Sequence, residues 1–98
     1  MAAVNIECRA DGIARIAINR PEKRNSLNEE VRRTLIKEIP GVLADTEVHA
    51  IVITGEGGHF CAGGDIVSME GLDAKGARAR MKGNHKIVRM IAEAEKPV

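Results

Sequence analysis

Ninety-eight residues with 44% hydrophobic side chains allow one modest domain with a packed core. Fifteen Lys+Arg against 14 Asp+Glu leave a net charge of +1, so no global field recruits nucleic acid or an anionic membrane, and the single aromatic, Phe60, excludes a base-stacking platform. No apolar run approaches the roughly 20 residues of a membrane helix, no secretory signal opens the chain, and Cys8 and Cys61 form no CxxC pair, which favours a reducing cytoplasm over a disulfide or zinc framework.

The first pattern is that of a strand: Val4, Ile6 and Cys8 alternate with Asn5 and Glu7. Ala10-Asp11-Gly12 is a turn signal, and Ile13 to Ile18 is a second strand with so little polar content that both its faces are expected to be covered. The two read as a hairpin over residues 4–19. A charged loop, Arg20 to Asn25, contains Pro21. Asn28 then caps a helix with Glu29 and Glu30 in its first turn, where the helix dipole favours acids. Val31, Leu35, Ile39 and Val42/Leu43 form its apolar stripe, with a kink or break expected near Ile39 because Pro40 removes a backbone donor. Ala50 to Thr54 is almost wholly apolar, as a buried parallel strand would be.

A glycine-rich loop follows, from Gly55 to Asp65. It is not a dinucleotide fingerprint, because Phe60 stands where the third glycine belongs, nor a phosphate loop, because Gly64-Asp65 replaces Gly-Lys. Cys61 next to His59 suits a packing cysteine better than a nucleophile, and His59, Cys61 and Asp65 follow no metal-ligand spacing. What the segment does offer is small residues, Ala62, Gly63 and Gly64, between a strand-like Phe60-Cys61 and a helical turn expected over Asp65 to Met69. Backbone N–H groups at such a junction lack intrahelical partners and receive an anion or a polarised carbonyl oxygen. Asp73 caps a last helix running to about Ala94, with Ala77, Met81, Val88 and Ile91 or Ala92 expected inward, and Pro97 ends it. His49 and His85 are expected at the surface, and Glu70 reads as a solvated carboxylate. The element order, ββαβα, suits the opening of a larger α/β domain.

Two segments together carry a resemblance. Asn19-Arg20-Pro21-Glu22-Lys23-Arg24-Asn25-Ser26-Leu27 resembles the N-R-P-x-x-x-N-A/S-L loop of the crotonase (enoyl-CoA hydratase/isomerase) family, and Phe60-Cys61-Ala62-Gly63-Gly64-Asp65-Ile66 resembles its F-S/C-A-G-x-D-L/I loop. Glu95-Lys96-Pro97-Val98 looks like the K-P-V that precedes the family's next strand. The resemblance implies an α/β fold, a crotonase-like spiral of ββα units, of which residues 1–98 would be an incomplete N-terminal portion that stops before the catalytic second half. It implies an acyl-CoA thioester as substrate and a thioester enolate stabilised by two backbone N–H groups. By motif position Ala62 would supply the first of these. Ala62, Gly63, Gly64, Asp65 and Ile66 would line the CoA crevice, and Lys23, Arg24, Ser26 and Leu27 its nucleotide end. No metal and no cofactor beyond the substrate's own coenzyme A is implied. Family likeness also implies a homo-oligomer, trimer or hexamer, or pairing with the missing C-terminal half. The acid/base residues and the second oxyanion donor of the family lie beyond Val98.

Two functional classes follow: an enzyme of the enoyl-CoA hydratase/isomerase type acting on a CoA thioester, or a truncated, non-catalytic CoA-binding or assembly module. Hydration, isomerisation, dehalogenation and thioester hydrolysis are not distinguished by residues 1–98.

Overall fold

The alternating apolar residues at the N-terminus form the expected hairpin. In a computed structural model describing residues 2–65 and 71–98, β1 (Val4–Cys8) pairs antiparallel with β2 (Ile13–Ile18), Val4 opposite Ile18 and Cys8 opposite Ala14. The turn closes on Gly12, whose φ of 87° disfavours an L side chain, and Asp11 Oδ1 accepts the Ile13 N–H at 3.1 Å. β3 (Ala50–Gly55) joins parallel to β2, Ile13 opposite Ala50 and Ile18 opposite Gly55, giving the sheet order β1-β2-β3.

The period-two alternation places Val4, Ile16, Ile18 and Ile51 on one face of this sheet, and all four are buried. On β2, Ala17 on the opposite face is buried as well, so the second half of this strand is covered on both sides. β3 is parallel as expected but less covered than a fully buried strand: Val52 remains 48% exposed on the far face. The outer edge of β3 receives one contact from the chain's end, where Pro97 C=O accepts the Ile51 N–H at 2.9 Å.

Helix α1 (Glu29–Ala44) covers the apolar face. Asn28 caps it through its side chain, which accepts the Val31 N–H at 2.9 Å, and Val31, Leu35, Ile39 and Val42 are buried as the stripe predicts. The expected break at Ile39 does not occur: the helix continues through Pro40 to Ala44. The physical reason is local. Proline removes one donor, while buried Ile39 and Val42 anchor the last turn on both sides of it.

Helix α2 (Ala74–Ala92) starts at Asp73, whose Oδ1 accepts the Gly76 N–H at 2.7 Å. Its inward face agrees with expectation at Ile91, which packs against the core, and differs elsewhere. Met81 and Val88 are exposed, at 57% and 62%, and Ile87 is the buried residue, with Met90 and Ile91 beside it. Gly83, one turn before Ile87, faces Ile36 and Arg32 of α1, and this close approach of the two helices decides which stripe turns inward. No helix among the described residues is long and apolar enough to cross a membrane.

Candidate active site

The charged loop after β2 folds on its own side chains. Pro21–Lys23 form a single 3-10 turn, and Arg24 and Asn25 follow with positive φ of 52° and 59°. Asparagine tolerates this region better than most residues, and here its side chain is wholly buried. Asn25 Oδ1 accepts the Arg20 N–H at 2.7 Å, while Nδ2 donates to Glu56 C=O at 2.8 Å and to His59 C=O. The side-chain amide thereby stitches this loop to the segment after β3. That segment doubles back over Gly55, where a β-carbon would strike the carbonyl oxygens of His59 and Phe60 and the Asn25 amide. Glycine is required there by close approach rather than by φ.

A second seam runs between Leu27 and Gly64, which form a parallel bridge. Leu27 N–H donates to Gly63 C=O at 2.7 Å and Asp65 N–H donates to Leu27 C=O at 3.0 Å. In such a bridge the central residue's own N–H and C=O point away from the partner strand. Arg20 locks the seam from outside: Nη2 meets Asp65 Oδ2 at 3.0 Å, and Nη1 donates to Ser26 C=O at 2.7 Å and Ser26 Oγ at 3.2 Å. Both ion-pair side chains are 13% exposed, a partly desolvated setting in which charge-assisted hydrogen bonds hold geometry firmly.

The amides of residues 62–65 are therefore not equivalent. Ala62 N–H donates to Arg24 C=O at 3.0 Å, Gly63 N–H to Cys61 Sγ at 3.4 Å, and Asp65 N–H to Leu27 C=O. Gly64 N–H has no acceptor among the described residues, and Gly64 is exposed. The expectation that Ala62 supplies a free N–H is corrected by this pairing: its donor is consumed in joining the two loops, and the open donor is two residues further on. Phe60-Cys61 is not a strand, and Phe60 is 59% exposed. Cys61 packs against the core, as a structural cysteine would. Among the described residues no three His, Cys, Asp or Glu side chains come together as metal ligands. Ser26 is buried behind the seam, Leu27 forms it, and Lys23 and Arg24 stand exposed on its rim. Ile66, Glu70 and the helical turn expected over Asp65 to Met69 lie outside the described residues, apart from Asp65 itself.

Reading the sequence for ligand contacts overlooked Arg20 and Asn25, although both stand inside the quoted loop motif. It also overlooked two arginines beneath the seam. Arg32, 4% exposed, donates from Nη1 to Leu27 C=O at 3.1 Å, and Arg80 Nη2 lies 3.5 Å from the same oxygen and 3.4 Å from Asp65 C=O. Burial and, next, the neighbouring Arg32 charge lower the Arg80 pKa, and Asp65 and Glu29 oppose them. A guanidinium keeps its proton under such a shift.

The sequence profile of enoyl-CoA hydratase/isomerase proteins matches residues 8–98. The chain belongs to this family. The enoyl-CoA hydratase/isomerase relatives include a crotonyl-CoA hydratase of Syntrophomonas wolfei, 37% identical over 87 residues, covering 88% of this chain and 34% of that protein. A 4-chlorobenzoyl coenzyme A dehalogenase of an Arthrobacter species is 34% identical over 91 residues, covering 89% of this chain and 33% of that protein. The crystal structure of an enoyl-CoA hydratase from Thermoplasma volcanium superposes with a TM-score of 0.92 at 32% identity, covering 100% of this chain and 39% of that one. The chain thus has the α/β fold of the N-terminal portion of these enzymes and spans about a third of the length of the curated relatives it matches.

Proposed function

We propose that this chain carries the first half of an acyl-CoA thioester site, with Gly64 N–H as one of two donors to the thioester oxygen. The single observation that supports this reading is the Gly64 amide: exposed, turned away from Leu27 by the bridge, and without an acceptor among the described residues, while its three neighbours are all engaged. An enolate oxygen gains negative charge in the transition state, and a fixed donor aimed at it is worth about 3–4 kcal/mol. The rigidity needed for that comes from the Asn25 and Arg20 networks. Gly63 and Asp65 border the crevice, and Ala62 contributes structure in place of a donor. Lys23 and Arg24 on the rim face the phosphates of coenzyme A, with Ser26 and Leu27 shaping the floor behind them. The reaction class is that of the enoyl-CoA hydratase/isomerase enzymes, and it needs no cofactor beyond the coenzyme A the substrate brings. The second donor and the acid/base groups come from residues outside these 98, in a trimer or hexamer. Two unpaired thiols, Cys8 exposed and Cys61 partly buried, suit a reducing cytoplasm.

The test separates the N–H from the side chain. The parent is expected to bind crotonyl-CoA more tightly than coenzyme A itself, because only the thioester offers a carbonyl oxygen. Gly64→Ala keeps the donor and is expected to keep that preference. Gly64→Pro deletes the donor and is expected to abolish it, with coenzyme A binding unchanged. Isothermal titration of the two ligands reads this directly, and a Gly64→Pro protein that retains the preference defeats the proposal.

A further inference from the structure

The Leu27 carbonyl is the point where the two loops and both helices meet. It accepts the Asp65 N–H at 3.0 Å, Arg32 Nη1 lies 3.1 Å away, and Arg80 Nη2 lies 3.5 Å away. The same Arg80 nitrogen is 3.4 Å from Asp65 C=O. Two guanidiniums from different helices thus converge on one backbone oxygen. Like charges packed together in a partly desolvated place are unfavourable unless fixed acceptors offset them. The acceptors here include the backbone oxygens of Leu27, opposite Gly64 in the bridge, and of Asp65, the residue after it, together with Glu29 on Arg32 at 3.2 Å. Those contacts fix the backbone of Leu27, whose N–H in turn donates to Gly63 C=O at 2.7 Å, and that carbonyl shares its peptide unit with the Gly64 N–H.

We infer that Arg80 is a positioning residue for the Gly64 donor, holding the carbonyls of Leu27 and Asp65 so that the Leu27–Gly64 bridge stays in place and the Gly64 N–H keeps its outward aim. The inference rests on the reading of Gly64 as an oxyanion donor, and it adds a residue on α2 that touches no substrate. Arg32 serves as the fixed half of the clamp, because it is buried on α1 and bonded within its own helix start. Arg80 is the adjustable half, since it arrives from a separate helix.

Amide hydrogen exchange and ligand binding test this on the 98-residue chain. In Arg80→Gln the Asp65 amide, bonded to Leu27 C=O, is expected to exchange about tenfold faster, while the amides of Ile16 and Ile53 in the sheet keep the parent rate. The preference for crotonyl-CoA over coenzyme A is expected to fall about tenfold in the same variant. Arg80→Lys, with one ammonium in place of the fork, is expected to fall between the two. Parent-like exchange at Asp65 in Arg80→Gln overturns the inference. So does an undiminished thioester preference in that variant when the parent has one. If Arg80→Gln fails to fold, Arg80→Lys carries the test, and parent values in both readouts overturn the inference. A parent that never prefers the thioester overturns the Gly64 reading instead, whatever the exchange rates.

Discussion

Asn25 organises the candidate site without facing a ligand. Its amide satisfies one backbone donor and two backbone acceptors from two loops, and no other residue type offers that set at that length in a left-handed conformation. Asn25→Ala leaves those three groups unpaired in a buried place, and a loss of about 2–4 kcal/mol is expected in urea unfolding. A loss below the error of the extrapolation would mean that water replaces the amide. The site was legible in part at this scale. The motif residues lie where the resemblance puts them, because spacing along a chain survives folding. Which amide stays open was not legible, because Ala62 and Gly64 are both small and their difference lies in pairing with Arg24 and Leu27, more than thirty residues earlier in the chain.

At the scale of elements, α1 and the hairpin follow their periodicity closely, and α2 does not. Its nineteen residues carry two apolar stripes, one through Met81 and Val88 and one through Ile87, Met90 and Ile91. A 3.6-residue period fits either. The choice is made by what α2 packs against, and Gly83 opposite Ile36 and Arg32 is a property of a helix pair that one helix's pattern does not contain. Pro40 follows the same logic: its effect on an isolated helix is large, and tertiary anchoring by Ile39 and Val42 outweighs it. Restoring the missing donor should then raise stability. Pro40→Ala is expected to gain about 1–2 kcal/mol after the lost rigidity of the unfolded chain is deducted, and to raise Tm by several degrees in thermal melting. A lower Tm would show that proline sets the helix path.

At the scale of the whole molecule, Glu56 ties the sheet's far face to the loop after β3. Arg15 Nη2 meets Glu56 Oε1 at 2.7 Å, and Asn5 Nδ2 donates to Oε2 at 3.3 Å. The Arg15 hydrogen bond, then that of Asn5, holds the Glu56 carboxyl below its usual pKa, and the same pair raises that of Arg15. A carboxyl with a depressed folded pKa binds its proton first in the unfolded chain. Its contribution to stability is therefore present above the ordinary carboxylate range and disappears as pH falls through the lower folded value. Glu56→Gln is expected to melt below the parent at neutral pH and together with it in acid. A gap that persists in acid would assign the difference to shape rather than charge. The side chains are a third exposed, so salt is expected to narrow the gap as well.

Asn25 has one more consequence, for the chemical lifetime of the chain. Asparagine side chains are lost when the next residue's backbone nitrogen attacks the amide carbon. In the folded chain Ser26 N–H is held by Lys23 C=O at 3.1 Å and the Asn25 amide is fully engaged, so the attack has neither a free nucleophile nor a free target. Unfolding releases both. The aspartate that results would present a carboxylate to the carbonyl oxygens of Glu56 and His59 in a pocket closed to water, where a charge without a partner is not accommodated. A chain that spends long unfolded thereby loses its route back, and heat leaves on this protein a permanent record of time spent open.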